Sequence, residues 1–351
     1  MHKNFLRNID LWLLVPVLIL VTLSLVTLFS LNINFFYGQF ALFILSFVFY
    51  IIFSQTNYLI LKIYAKRIYV ASFVVLFAVL LIGIESRGAV RWVEIFGFRL
   101  QFSEVLKPFL AISFASYIAS VKTLNIKGFL NVFLLLFPIA FLIFLQPDLG
   151  NAIIYFIIVL LTLIYLGFPF RYFLISFLPF LLSVPFLWRF LHDYQRQRII
   201  SFVFPYDVLG GSWSQNQTKI SIGSGQIFGQ GLGQGSQVQF GFLPEPHTDF
   251  IFSVIAEEWG MIGSVVLFSL YGFLVWRVLK IAIYSHSNFP RLFASGYAII
   301  LMTQFFINIG MNLSLLPVVG IYLPFISYGG SGLIGNFIAL GILQSIKVQR
   351  T

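Results

Sequence analysis

The side chains able to do chemistry crowd into one stretch, Phe242-Leu243-Pro244-Glu245-Pro246-His247-Thr248-Asp249-Phe250. Two prolines fix φ on either side of Glu245 and stiffen the approach to His247 and Asp249. Asp249 then opens an apolar run. An aspartate at a helix start is commonly an N-cap that accepts backbone N–H bonds. A partly desolvated carboxylate in the same place can instead have a raised pKa and act as a general base. The adjacent histidine and the scarcity of carboxylates at a membrane boundary favour the base. Glu245, His247 and Asp249 also supply oxygen and imidazole donors of the kind that take a divalent cation such as Mg2+ or Mn2+.

Residues 191–249 form the long polar insertion of the chain, and nine of its 27 glycines fall there. The first part, Tyr194-Gln195-Arg196-Gln197-Arg198-Ile199-Ile200-Ser201-Phe202, mixes basic and apolar side chains at helical spacing. It reads as an amphipathic helix lying on the outer membrane surface. Arg196 and Arg198 would meet membrane lipid headgroups or a lipid-linked pyrophosphate, because a guanidinium suits bidentate phosphate contacts. Residues 215–222 read as a second short helix, with Lys219 on it. The glycine-rich run 223–235 is not a P-loop, since no Gly-Lys-Ser/Thr follows, and not a dinucleotide fingerprint, since no βαβ unit surrounds it. Its glycines permit tight turns and close approach of a ligand or another helix, or they make a flexible loop.

Two more polar places accompany this insertion. One runs from Glu85-Ser86-Arg87-Gly88-Ala89-Val90-Arg91-Trp92 through Arg99 to Ser103-Glu104-Val105-Leu106-Lys107. A helix sets Glu104 and Lys107 on one face. They either neutralise each other in an apolar setting, or Lys107 joins the arginines in holding a phosphate. The other is Gln146-Pro147-Asp148-Leu149-Gly150-Asn151. Proline followed by an acid fits a helix start; the alternative has Asp148 orienting a residue of a neighbouring helix.

The elements that must carry these groups are membrane helices. Of the 351 residues, 60% are hydrophobic and only 9% charged, against about 25% charged in soluble domains. Ten apolar segments recur at 11–31, 36–54, 68–84, 103–121, 128–145, 149–167, 171–190, 250–278, 292–316 and 327–346. They predict an all-α polytopic membrane protein: one transmembrane domain over 1–351, about ten helices, and a large extracytoplasmic loop between the seventh and eighth. The first segment reads as a retained helix, too long for a signal-peptide core. An even number of crossings puts both termini on one side. If that side is the cytoplasm, 13 of the 21 basic residues lie inside, as the positive-inside rule requires. Of the 11 acids, only Asp10 then lies inside. The other ten and the remaining eight basic residues share the outer face, where charge at membrane depth marks function. The net charge of +10 is explained by topology, so nucleic acid is not an expected partner. With no cysteine, disulfides and thiolate metal sites are excluded.

The chain resembles the SEDS family, the RodA/FtsW glycosyltransferases that polymerise peptidoglycan from lipid II. The resemblance rests on Arg91-Trp92, Ser103-Glu104-x-x-Lys107, Gln146-Pro147-Asp148-Leu149-Gly150, Tyr194-Gln195 with Arg198-Ile199, and Leu243-Pro244-Glu245-x-His247-Thr248-Asp249-Phe250. It continues through Ala256-Glu257-Glu258-x-Gly260, Gly310-Met311-Asn312 and Leu316-Pro317-Val318-x-Gly320-x-x-Leu323-Pro324-Phe325-x-Ser327-Tyr328-Gly329-Gly330-Ser331. These stretches span nearly the whole chain in family order. One departure is Phe102, where the family usually has proline.

The resemblance implies ten transmembrane helices in the cytoplasmic membrane of a bacterium and a site on its outer face. Asp249 matches the family's essential aspartate. It would deprotonate the sugar 4-hydroxyl of an acceptor lipid II, with inversion at the donor's anomeric carbon and release of undecaprenyl pyrophosphate. Cations must meet the charge on that leaving group. Arg198, Arg196, Lys107 and Arg91 are the candidates in that order, with Glu104 and Lys219 in the same binding set. His247, Glu245, Asp148, Glu257 and Ser327 would support them. The implied partner is a class B penicillin-binding protein, the transpeptidase that cross-links the strands, alongside lipid II and undecaprenyl-linked glycan. The short tails look more like RodA, the elongation member, than FtsW, the division member. Two other functions remain open on the residues alone. A lipid-precursor flippase would place its polar site near the bilayer midplane, often between inverted repeats. A non-catalytic scaffold would not need the Asp249 carboxylate.

Overall fold

A computed structural model describes residues 9–86, 89–95, 97–121, 123–204 and 213–349. Arg87, Gly88, Lys122, Asp207, Gly210, Gly211 and Arg350, as well as the N-terminal Lys3 and Arg7, lie outside the described residues.

Helices α1 (Leu11–Leu31) and α2 (Ile33–Gln55) are followed by the short α3 (Tyr58–Ile63) and by α4 (Ala65–Ile82). Three short strands come next, β1 (Ile84–Ser86), β2 (Ala89–Ile95) and β3 (Phe98–Leu100). Then come α5 (Phe102–Val105), α6 (Lys107–Ser120), α7 (Ile126–Leu145), α8 (Leu149–Tyr165) and α9 (Phe170–Phe190). The long insertion folds as α10 (Asp193–Val203), α11 (Trp213–Ser224) and α12 (Ser236–Gln239). Three long helices close the chain: α13 (Ile251–Ile283), α14 (Asn288–Asn312) and α15 (Gly330–Val348).

Each of the ten expected apolar segments has its helix. Among the described residues, seven helices can cross a bilayer unaided by length and composition, and α9 makes an eighth as a bent pair, Phe170–Pro179 and Leu181–Phe190, at 43°. Pro179 and Pro185 lie inside α9, where each removes a ladder donor and favours a bend. At 17 residues α8 is shorter, and α6 has only 14, preceded directly by the single turn of α5. The fold is that of an all-α polytopic membrane protein.

Two features depart from the expected elements. The three strands Ile84–Ser86, Ala89–Ile95 and Phe98–Leu100, in a region expected as an outer loop, form an antiparallel sheet in the order β1-β2-β3. Its alternation of apolar and polar side chains is too short to stand out beside 20-residue apolar runs. In β2 and β3 Glu94 stands opposite Arg99, an opposite-charge cross-strand pair. The turn between them uses Gly97 at φ +80°.

The second departure is in α13, expected as one continuous helix. It breaks at Gly260, whose φ of 66° and ψ of −157° are not helical. A break exposes orphan carbonyls on one half and orphan N–H groups on the other, which must be satisfied inside the protein at membrane depth. The glycine-rich run supplies both sets. Gln230 and Gly231 donate their N–H groups to the carbonyls of Glu257 (2.9 Å) and Glu258 (3.1 Å). Met261 and Ile262 donate theirs to the carbonyls of Gln226 (2.8 Å) and Ile227 (3.2 Å). Such a fit needs bare backbone. A Cβ on Gly225 would stand 1.8 Å from the Ala256 carbonyl oxygen, and one on Gly229 would stand 2.1 Å from that of Glu258. The flexible-loop alternative therefore fails: this run is a clamp on a broken helix.

The core is centred on α15, buried along almost its whole length and packed against α2. Small residues let the backbones approach; a Cβ on Gly341 would meet the Tyr50 carbonyl oxygen at 2.7 Å. At one end of the bundle the buried Asp10 pairs with Arg277 (2.6 Å) and Lys347 (3.3 Å), tying the start of α1 to α13 and α15. The other end of α13 and α15 carries the candidate site.

Candidate active site

Asp249 sits just before the first half of α13, half-buried. Phe250, the residue after it, occupies the N-cap position of that helix. The cap comes from another helix: Ser253 donates its N–H (3.2 Å) and its hydroxyl (2.7 Å) to Asn312 Oδ1. The carbonyl of Asp249 accepts from the side-chain amides of Asn308 and Asn312, both at 3.1 Å.

The stretch before Asp249 is pinned from above and below. The Ser327 hydroxyl donates to the Thr248 carbonyl (2.7 Å) and accepts from the Leu323 N–H (2.8 Å). Tyr328 donates its N–H to the His247 carbonyl at 2.8 Å. The His247 ring stacks on Phe35 with centroids 4.2 Å apart and planes at 13°, and it meets Tyr328 edge-on at 5.7 Å. Its Nε2 lies 3.8 Å from Glu245 Oε2. His247, Glu245 and Ser327 thus hold the backbone that presents Asp249. Among the described residues, no three His, Asp or Glu side chains gather to hold a metal ion.

Arg198 lies on α10 and is exposed. Its Nη1 donates to the Val318 carbonyl at 3.3 Å, and its guanidinium lies over the Tyr194 ring at 5.7 Å. Burial pushes the Tyr194 phenol up, while Arg91 and Arg198 pull it down. It stays a neutral donor, bonded to the Pro147 carbonyl at 2.9 Å, beside Gln195 Nε2 at 3.2 Å. These bonds dock α10 on the turn between α7 and α8.

Gly320 brings the two charged groups to one place. A methyl built on it would lie 3.6 Å from Asp249 Oδ2 and 3.9 Å from Arg198 Nη1. Laid end to end, those contacts put the carboxylate and the guanidinium at most about 7.5 Å apart. An acid and a cation therefore both lie within 4 Å of where a side chain on residue 320 would begin. Such a pair can take a proton from an incoming nucleophile and hold an anionic leaving group.

The other expected residues are used differently. Lys107 Nζ donates to both Glu104 oxygens at 2.7 Å, and both side chains are buried. The pair closes on itself, so Lys107 and Glu104 do not form a phosphate-binding cation set in this geometry. Arg196 donates to the carbonyls of Trp188 (3.1 Å) and Arg189 (2.8 Å) and lies 3.6 Å from Asp193. It fastens α10 to the end of α9 instead of reaching the Asp249 locus. Lys219 stands exposed on α11. Asp148 stands at the helix start as expected, and the cation it also meets, Arg91, comes from strand β2 and not from a helix. It caps α8 through the Asn151 N–H at 3.3 Å and pairs with Arg91 Nη1 at 3.7 Å. Gln101, Ser103 and the Asn151 amide also bond its Oδ2. Arg91 is partly exposed and is held by this buried acid. Glu257 accepts from the Ser221 hydroxyl (2.8 Å) and the Gln237 N–H (2.9 Å). Glu258 accepts from the Ser30 hydroxyl (2.6 Å) and the Gly233 N–H (2.9 Å). Both glutamates serve the clamp.

The residue missed in the sequence is Asn308, together with the roles of Gly320 and Asn312. A signal existed. Gln304, Asn308 and Asn312 recur every four residues, a polar stripe down an apolar helix.

The fold and this site define an integral membrane protein with an acid–cation locus at one end of its helical bundle. The chain belongs to the FTSW/RODA/SPOVE family of cell cycle proteins, whose model matches residues 2–351. It is 40% identical to the peptidoglycan glycosyltransferase MrdB of Escherichia coli K12 over 290 residues, 82% of this chain and 78% of that one. It is 38% identical to the probable peptidoglycan glycosyltransferase FtsW of Geobacter metallireducens over 275 residues, 76% of this chain and 72% of that one. Among solved structures, it matches a chain of a peptidoglycan synthase complex that coordinates polymerization and crosslinking. There the TM-score is 0.84 at 30% identity, covering 97% of this chain and 98% of the other. It matches the rod shape determining protein RodA of Thermus thermophilus with a TM-score of 0.76 at 29% identity over 99% of both chains.

Proposed function

We propose that this chain is a peptidoglycan glycosyltransferase that polymerises lipid II into glycan strands at the outer face of a bacterial cytoplasmic membrane. The observation that carries it is the convergence of Asp249 and Arg198 on Gly320, in a chain of the family whose relatives are named for that activity.

In the reaction, Asp249 accepts the proton of the acceptor's sugar 4-hydroxyl as that oxygen attacks the donor's anomeric carbon. The new glycosidic bond forms as the bond to undecaprenyl pyrophosphate breaks, with inversion. Arg198 meets the charge that develops on the leaving phosphate. Arg91, held by Asp148, is a second cation on the same face. No step is assigned to a metal ion.

Both termini are assigned to the cytoplasm. Asp10, Arg277 and Lys347 meet at one end of the bundle and Asp249 stands at the other, which fits basic residues on the inner side. The partner is a class B penicillin-binding protein, a reading supported by the match to a chain of a peptidoglycan synthase complex. The role is cell elongation and shape.

Purified protein and its transpeptidase partner, given lipid II in detergent, should yield a ladder of glycan strands on a gel. An active preparation of the partner with no ladder from this protein contradicts the proposal. Depletion in the source cell should give round cells; filaments with blocked septa would instead assign it to division.

A further inference from the structure

The catalytic acid and the leaving-group cation come from distant parts of the chain, and one buried amide joins the segments that carry them. Asn308 is fully buried on α14. Its Nδ2 donates to two backbone carbonyls, Asp249 O at 3.1 Å and Ile321 O at 2.8 Å. Ile321 directly follows Gly320, and Val318, two residues before Gly320, carries the carbonyl that Arg198 binds. One side of the amide therefore holds Asp249 and the other holds the loop on which Arg198 rests.

Asn312, one turn further along and also fully buried, completes the arrangement. Its Nδ2 donates to Asp249 O at 3.1 Å and to Asn308 O at 2.8 Å. Its Oδ1 takes both donors of Ser253, so it also fixes the direction in which α13 leaves Asp249. Two N–H donors on one short neutral side chain are what two facing carbonyls require, and asparagine is the smallest side chain that has them.

We propose that Asn308 is a positioning residue for glycosyl transfer, braced by Asn312: it sets the separation of the Asp249 carboxylate and the Arg198 guanidinium. The inference rests on the reading of Asp249 as base and Arg198 as leaving-group cation. Asn308 is fully buried and its Nδ2 donates only to backbone carbonyls, so its loss is expected to act on the rate of the chemical step and not on substrate affinity.

The test is steady-state polymerisation of lipid II by wild type, Asn308→Ala and Asn308→Asp in complex with the partner transpeptidase. Asn308→Asp keeps the shape but sets carboxylate oxygens against two carbonyls. A shift of about 1 Å at the reacting groups lowers kcat on the order of 100-fold. The expected result is that loss in kcat with KM for lipid II within about twofold of wild type, the signature of an interaction used only in the transition state. A wild-type kcat, or a raised KM at unchanged kcat, overturns the proposal even if the thermal midpoint falls, since the role is then structural or substrate-binding. Where the Asn308 variants do not fold, Ser253→Ala decides. It removes one hydroxyl from Asn312 and should lower kcat several-fold at constant KM; an unchanged kcat overturns the proposal. A wild-type complex that makes no polymer counts against the glycosyltransferase reading itself.

Discussion

Gly320→Ala isolates the space between the acid and the cation. The added methyl would lie 3.6 Å from Asp249 Oδ2 and 3.9 Å from Arg198 Nη1. These are ordinary contacts, so the methyl fits the protein but fills the spot the reacting atoms need. The backbone also resists it. Gly320 has φ +71°, and a side chain in that region costs about 1–2 kcal/mol. Gly167, between α8 and α9, supplies the control. It has φ +80°, and a Cβ there would meet nothing within 4 Å. Both substitutions to alanine should cost the same stability, about 1–2 kcal/mol, read as similar small drops in the thermal midpoint of the detergent-solubilised complex. Only Gly320→Ala should lose polymerisation, by on the order of 100-fold in kcat, the size expected for misplaced reactants. Equal activity losses in the two variants, or wild-type activity in Gly320→Ala, would refute the placement of the reaction between Asp249 and Arg198.

Arg198→Ala should remove most polymerisation, while Arg196→Ala, which loses bonds to the Trp188 and Arg189 carbonyls and the pairing with Asp193, should keep most of it; strand yield on a gel ranks the two. Lys107→Met leaves Glu104 as a buried unpaired charge and should destabilise by about 3–5 kcal/mol. The double change Glu104→Gln with Lys107→Met should recover much of that loss, and a thermal melt of the three proteins checks the order. If the double variant is no more stable than the single one, the loss does not come from leaving Glu104 without its counter-charge.

Much of the fold was legible because membrane helices announce themselves by length and apolarity. Each of the ten segments became a helix, and the resemblance of motifs such as Leu243-Pro244-Glu245-x-His247-Thr248-Asp249 pointed to the family that the whole chain matches. The illegible parts were those set by tertiary contact. The break at Gly260 depends on backbone partners at 226–231, some 30 positions earlier in the chain, and no local pattern encodes that pairing. The sheet at 84–100 is short and sits among louder signals. Charge alone misranked the cations. Lys107 and Arg196 looked available beside Arg198, yet one is closed on Glu104 and the other on carbonyls at the end of α9. Which cation remains open depends on neighbours that spacing cannot show. Asn308 was overlooked because a neutral amide in an apolar helix reads as packing until its two carbonyl partners are seen.

The most direct measurement is strand synthesis from lipid II by Asp249→Asn beside wild type, each purified with the same transpeptidase partner. Asparagine keeps the shape and the backbone bonds to Asn308 and Asn312 but cannot accept the acceptor's proton. Wild type should give long strands and Asp249→Asn none, with the variant folded to the same thermal midpoint and still binding lipid II. Undiminished strand synthesis by Asp249→Asn would contradict the assignment of Asp249 as the base.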